Sequence, residues 1–353
     1  MNKYKFLVLL IIPLIIAGFI LSQQQKQIKS KIDSNQTTDQ KNIILPSDPT
    51  APLTIQSLIN RKYPASKIIV EETLESGINY NRYIASYQSD GLKIYGLFTV
   101  PNTDKPKNGY PSIVFLHGYL DPKTYQTTER YVAYQDGFAR NGFITFKPDL
   151  RGHGNSEGKP VNSNFSQEYV IDSLNLVSAL KIYKDANPKL IGMWGHSNGG
   201  GITMRALEVS KDIKAAVIWS GVVGSYEDLL VNYRSKIPWI NNRRGPTGTT
   251  GIATGSFQDL IRKYGKPDLK SPFWSQVDPY TFIKNISAPV ELHHGTVDES
   301  VPIEVSIHFD DVLKKVGKTV ELYQYQGGDH NLADPAFSIA MGRSINFFKK
   351  YLQ

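Results

Sequence analysis

Ser197, Asp298 and His330 have the residue types and settings for nucleophilic attack on a carbonyl carbon. A serine hydroxyl is a weak nucleophile at neutral pH. It needs a base to take its proton, a carboxylate to orient that base, and donors for the oxyanion that forms. Ser197 lies in Gly195-His196-Ser197-Asn198-Gly199, between an apolar run at 189–194 and a helix-like segment at 198–209. In the order strand, Gly-x-Ser-x-Gly, helix, the serine occupies a turn so tight that side chains at the flanking glycines would clash. The hydroxyl then stands above the carboxyl edge of a sheet.

The partners follow in the order Asp, then His. Asp298 closes His294-Gly295-Thr296-Val297-Asp298 just past an apolar run at 289–293, a strand-end loop of the kind where open sheets place ligands and catalysis. Capping the next helix is its other possible role, and Glu299 or Asp278 could serve in its place. His330, in Gly327-Gly328-Asp329-His330-Asn331, falls between the last strand-like run and the last helical one. Of the other histidines, His308 is mid-helix, His293 ends a strand and His294 follows it, and His153 follows another strand. His117 and His196 sit in glycine motifs, where they are expected to hydrogen-bond the loops. For the oxyanion, the residue after the nucleophile supplies one N–H, Asn198. The loop His117-Gly118-Tyr119 supplies the second, Tyr119, or Leu120 if the loop is shifted by one. The run from Asp149 to Gly158 is glycine-rich but lacks the Gly-Lys-Ser/Thr ending of a phosphate loop; Arg151 is expected to pair with a carboxylate and fix this loop.

These residues need a scaffold that brings loops from distant positions to one edge. Strand-like runs at 67–74, 80–87 and 92–100, the last two joined by a turn at Ser89-Asp90-Gly91, predict an antiparallel start. The nearly continuous apolar run at 111–116 marks a strand buried on both faces. Helix at 128–141, strand at 143–147, helix at 166–183, strand at 189–194, helix at 198–209 and strand at 215–219 follow. Strand at 289–293, helix at 303–316, strand at 319–325 and helix at 335–351 repeat the rhythm. Such alternation predicts an α/β class with a mostly parallel, doubly wound sheet. Residues 222–286 interrupt it with many aromatics and a Gly/Thr-rich tract at 245–255. This insertion reads either as a small cap or lid over the site or as a peripheral helical insertion with its aromatics turned inward.

A chain of 353 residues, 40% hydrophobic, can bury one large core, assigned to residues 54–353. Without cysteine, thiolate catalysis, disulfides and cysteine-ligated zinc are excluded. No His-Glu-x-x-His or comparable spacing points to a metal, and no cofactor is implied. Half of the +8 formal charge precedes residue 46, and no basic helix argues for nucleic acid. Residues 6–21 are uncharged and follow Lys3 and Lys5, so residues 1–22 read as a signal or membrane anchor. Residues 23–53 read as a disordered spacer. The catalytic domain is then expected to be membrane-anchored and extracytoplasmic, or secreted if the segment is cleaved.

His117-Gly118-Tyr119, Asp149-x-Arg151-Gly152-x-Gly154-x-Ser156-x-Gly158, Gly195-His196-Ser197-Asn198-Gly199-Gly200, His294-Gly295-x-x-Asp298 and Gly328-Asp329-His330 together resemble the catalytic domain of the prolyl oligopeptidase family. The resemblance covers about residues 90–352 and implies an α/β-hydrolase fold. It also implies a triad of Ser197, Asp298 and His330 acting on peptide or ester bonds. Two departures stand out. Family members with oligopeptidase activity carry a β-propeller for which this chain has no room, and Tyr119 replaces a glycine often found there. A carboxylesterase with the same machinery is the alternative; a catalytically silent binding protein is a remote one.

Overall fold

The computed structural model describes residues 54–161, 167–241 and 260–353, and a nine-stranded sheet runs through them. Strands β1 (Ile69–Leu74), β2 (Tyr80–Ser89) and β3 (Leu92–Pro101) pair antiparallel. Asp90 and Gly91 join β2 to β3 with φ of 54° and 77°. Positive φ at both central residues is the hairpin turn whose twist matches the strands, and an Asp-Gly pair adopts it at little cost.

The remaining strands are β4 (Tyr110–Leu116), β5 (Ile144–Pro148), β6 (Ala186–His196), β7 (Ile213–Trp219), β8 (Val290–Gly295) and β9 (Val320–Tyr325). They run parallel to one another, with β5 antiparallel to β3. The order β1-β2-β3-β5-β4-β6-β7-β8-β9 places β5 and β6 on opposite sides of β4. The winding reverses there, and the crevice at the carboxyl ends of β4 and β6 is where open α/β sheets place their sites.

Alternation along the central strands splits the core into two layers. Val114, Leu116, Met193 and Ile218 pack with α1 (Ile55–Ile59), α3 (Glu168–Lys181), α4 (Asn198–Val209) and α5 (Glu304–Lys315), whereas Phe115, Trp194, Val217 and Trp219 pack with α2 (Val132–Ala139) and α6 (Ala336–Tyr351). Phe115 and Trp194 stack with centroids 4.1 Å apart. Covering both faces is why these strands read as unbroken apolar runs instead of alternating ones. The Thr54 hydroxyl caps α1, accepting the Ser57 N–H at 3.0 Å.

One expectation changes. The helix expected over 128–141 is confined to α2. Tyr131, at φ 63°, cannot continue a right-handed helix, and Lys147 Nζ donates to the Thr127 and Arg130 carbonyls at 2.8 and 2.9 Å, engaging acceptors a longer helix would use. In the insertion, short helical segments such as Asp228–Asn232 and Trp274–Val277 flank the undescribed part. They send Tyr226, Leu229, Phe273, Trp274 and Tyr280 into the core beside α4, so the flanks follow the inward-packing reading. The Gly/Thr-rich tract lies outside the described residues, as do the segments read as anchor and spacer. Among the described residues, no helix is long and apolar enough to cross a membrane.

Arg151 pairs as expected. Its Nε and Nη2 donate to Asp172 at 3.0 and 2.7 Å, its backbone N–H donates to the same carboxylate, and Ser89 Oγ–H donates at 2.6 Å. Asp172 is fully buried. Asp172→Ala strands a buried guanidinium and is expected to lower the unfolding free energy by about 3–5 kcal/mol in urea titration. A loss below about 1 kcal/mol would show that the pair does not hold the loop.

Candidate active site

Ser197 joins β6 to α4 with φ 53° and ψ −119°, a left-handed conformation that costs a non-glycine residue about 1–3 kcal/mol. Three backbone bonds hold it there: Ser197 N–H to the Trp219 carbonyl, and Val222 N–H and Gly200 N–H to the Ser197 carbonyl, at 2.9–3.0 Å. The flanking glycines are sterically required. A Cβ on Gly195 would lie 2.4 Å from the Gly199 oxygen, and one on Gly199 would lie 2.1 Å from the Leu116 oxygen. Ser197 stays partly exposed at the end of a strand that is otherwise buried around it.

The loops after β8 and β9 meet through Thr296 N–H to the Tyr325 carbonyl and Val297 N–H to the Gly328 carbonyl. This brings Asp298 to His330, whose Nδ1 lies 3.0 and 2.9 Å from the two carboxylate oxygens. With Nδ1–H donating, Nε2 keeps its lone pair. Asp298 also accepts the Ser300 and Val301 N–H groups at 2.8 Å each, and His294 Nε2, whose proton is shared with the Val301 carbonyl at 2.9 Å, lies 3.0 Å away. Burial raises its pKa, but the hydrogen bonds from His294 and His330 prevail and hold it well below the ordinary carboxylate range. Sequence reasoning gave His294 no role. The signal was its spacing, four residues before the aspartate on a tight strand-end turn.

The alternative carboxylates are placed elsewhere. Glu299 accepts the His330 backbone N–H at 3.3 Å and does not bond the imidazole. Asp278 lies within the insertion, accepting the Tyr226 and Tyr280 N–H groups at 2.8 Å each. Burial pushes its pKa up to about 7. An acid whose folded pKa is raised stabilises the fold fully below its ordinary value of 3.8, and that contribution is lost as pH rises through about 7. Asp278→Asn is therefore expected to remove roughly 2–4 kcal/mol of the stability that wild type loses between pH 4 and 8, read from urea midpoints. Parallel pH profiles for the two proteins would contradict this.

On the other side of Ser197, Gly118 approaches so closely that an added Cβ would lie 3.1 Å from the Ser197 Cβ. The Gly118 N–H donates to Tyr131 Oη at 2.9 Å, whereas the Tyr119 N–H is unengaged among the described residues. Asn198 is the first residue of α4, at the positive end of its dipole. His153 hydrogen-bonds the backbone of Leu120. The histidines of the glycine motifs bind loops, as their positions predict. His117 Nδ1–H donates to the Gly118 carbonyl at 2.7 Å, and burial drives its pKa well below the ordinary value. His196 Nε2 lies 2.9 Å from the His330 carbonyl, with the two rings 4.7 Å apart. The residue preceding the serine therefore holds the loop that carries the imidazole. Among the described residues Ser197 Oγ has no hydrogen-bond partner, and such bonds are often long until substrate binds.

The sequence pattern of the family described as serine aminopeptidase, S33, matches residues 110–257, and that of the prolyl oligopeptidase family matches residues 249–353. Among curated proteins, the chain is 26% identical over 254 residues to the uncharacterized peptidase YtmA of Bacillus subtilis (strain 168), covering 70% of this chain and 85% of that protein. Among solved structures, the acetyl xylan esterase from Paenibacillus sp. R4 superposes with a TM-score of 0.60 at 17% identity, over 84% of this chain and 92% of that one. Pyrococcus horikoshii acylaminoacyl peptidase gives 0.57 at 21% identity, over 78% of this chain and 42% of that one. At these identities the structures speak for the fold, and the two sequence patterns for the kind of enzyme. With its strands wound in this order and both patterns falling between residues 110 and 353, the chain is a serine hydrolase with the α/β-hydrolase fold, similar over residues 249–353 to the prolyl oligopeptidase family.

Proposed function

We propose that the protein is a serine peptidase of the prolyl oligopeptidase type, cleaving peptide or ester bonds through an acyl-enzyme. Ser197 is the nucleophile, His330 the general base and acid, and Asp298 the carboxylate that orients it. The observation that carries this reading is the bond from His330 Nδ1 to Asp298, in a loop whose carbonyl is held by His196, next to Ser197. His330 Nε2 takes the Ser197 proton as Oγ attacks the carbonyl carbon. The oxyanion is met by the N–H groups of Tyr119 and Asn198, each such donor being worth about 3 kcal/mol in the transition state. The imidazolium, steadied by Asp298, then protonates the leaving group, and water repeats the sequence to release the acid.

A carboxylesterase using the same groups is the second reading. An acetyl xylan esterase shares the fold over 84% of this chain, so the scaffold accommodates that chemistry. Parallel assays with p-nitrophenyl acyl esters and with aminoacyl and prolyl anilides separate the two. Turnover of both classes supports the peptidase, and turnover of esters alone rejects it.

Residues 6–21 carry the chain to or across a membrane in this reading, leaving the enzyme on the outer face or released. Fractionation with protease added from outside is expected to place the enzyme in the membrane or medium and accessible; a protected cytoplasmic chain would reject it.

A further inference from the structure

We infer that the Tyr131 hydroxyl is a positioning group that sets the oxyanion loop against the nucleophile, an inference that rests on the Ser197 reading above. Its hydrogen bonds have one self-consistent direction. The His330 carbonyl can only accept, so His196 Nε2 carries the proton in the 2.9 Å bond between them. Burial drives the His196 pKa down to about 3, so the ring is neutral and Nδ1 has only a lone pair to offer. Tyr131 Oη, 2.7 Å away, must give that nitrogen its single proton, which leaves its lone pairs to accept the Gly118 N–H at 2.9 Å. One hydroxyl and one imidazole thus tie together the loop after β4, the serine turn after β6 and the histidine loop after β9.

The consequence for chemistry lies in the loop after β4. The Gly118 N–H immediately precedes that of Tyr119, the candidate to meet an oxyanion beside Ser197. The hydroxyl engages the first, which fixes the peptide plane and leaves the second available. Tyr131 is also held in an unusual way for a bulky residue, at φ 63°, with its ring against Phe115, Tyr134 and Trp194. Strain of this kind persists where the surroundings fix a side chain in place, and here the surroundings deliver a hydroxyl to the Gly118 amide.

Tyr131→Phe keeps the ring and removes only the hydroxyl. Activity is expressed per active site, counted by fluorophosphonate labelling of Ser197, so that loss of folded protein does not enter. The expected result is a fall of about 10- to 100-fold in kcat with KM within twofold, since one donor is misaimed and not deleted. The affinity for a trifluoromethyl ketone, whose serine adduct carries an oxyanion, is expected to fall in parallel with kcat/KM. A purely structural hydroxyl would lower the labelled fraction or the melting temperature and leave both quantities per site unchanged; that result overturns the inference.

If Tyr131→Phe does not fold, His196 supplies the test. In His196→Asn, Oδ1 can stand where Nδ1 does and accept from Tyr131, so it is expected to retain far more ketone affinity than His196→Ala. Equal losses in the two variants would overturn the inference. Wild-type enzyme that is not labelled at Ser197 marks failure of the underlying reading instead.

Discussion

Ser197→Ala and His330→Ala are each expected to lower kcat by about 100,000- to 1,000,000-fold, and the double variant to lose little more. In the proposed mechanism the two groups act in one event. Without the imidazole the hydroxyl keeps its proton and attacks poorly; without the hydroxyl the imidazole has nothing to activate. What survives comes from binding and the oxyanion donors, about 1,000- to 10,000-fold above the reaction in water. KM is expected to change little, because neither group contributes much to binding the ground state. Losses that multiply in the double variant would mean that His330 acts elsewhere than on Ser197.

The second large effect is expected of Asp298→Asn, about 10,000-fold in kcat with the fold retained. Three donors besides His330 converge on this side chain: the N–H groups of Ser300 and Val301, and His294 Nε2. An asparagine has one acceptor oxygen, and the Ser300 and Val301 N–H groups, which both bond Oδ1, claim it, leaving the NH2 group at the Oδ2 position that His294 Nε2 also faces. Its NH2 group then faces His330 Nδ1, which must present a lone pair, and the ring proton moves to Nε2. That is the nitrogen needed as a base. The same substitution flattens the acid limb of stability. Asp298 has a lowered pKa in the fold, so its contribution is present above the ordinary value of 3.8 and is lost as pH falls through the lower folded value. Urea midpoints of wild type and variant are therefore expected to converge as pH falls below 4. Full activity in Asp298→Asn would contradict the assignment of tautomers on which the mechanism depends.

Both predictions use residues that were legible in the sequence because local rules place them. Gly195 and Gly199 could be read as a steric demand, and the unbroken apolar run before Ser197 as a strand buried on both faces. Asp-Gly at 90–91 fixed a hairpin for the same local reason. What the sequence did not show is what long-range contacts decide. The helix expected from 128 begins at Val132 because Lys147, from the neighbouring strand, takes carbonyls that the helix would use. The partners of His294 and Tyr131, which are Ser306, Val301 and Asp298 for one and Gly118 and His196 for the other, are set by how loops meet. The aromatic insertion read equally as a lid or as an inward-packing insertion. Its flanks are ordered by the surface of α4 and not by their own pattern.

Activation of Ser197 by His330 is the step on which the proposed chemistry depends. Treating wild type and His330→Ala with a fluorophosphonate, and locating the adduct by peptide mass spectrometry, measures this in one experiment. The prediction is a single adduct on the peptide containing Ser197, formed at least about a thousandfold more slowly when the imidazole is absent. An adduct on another residue, or Ser197 labelled equally fast in both proteins, would contradict it.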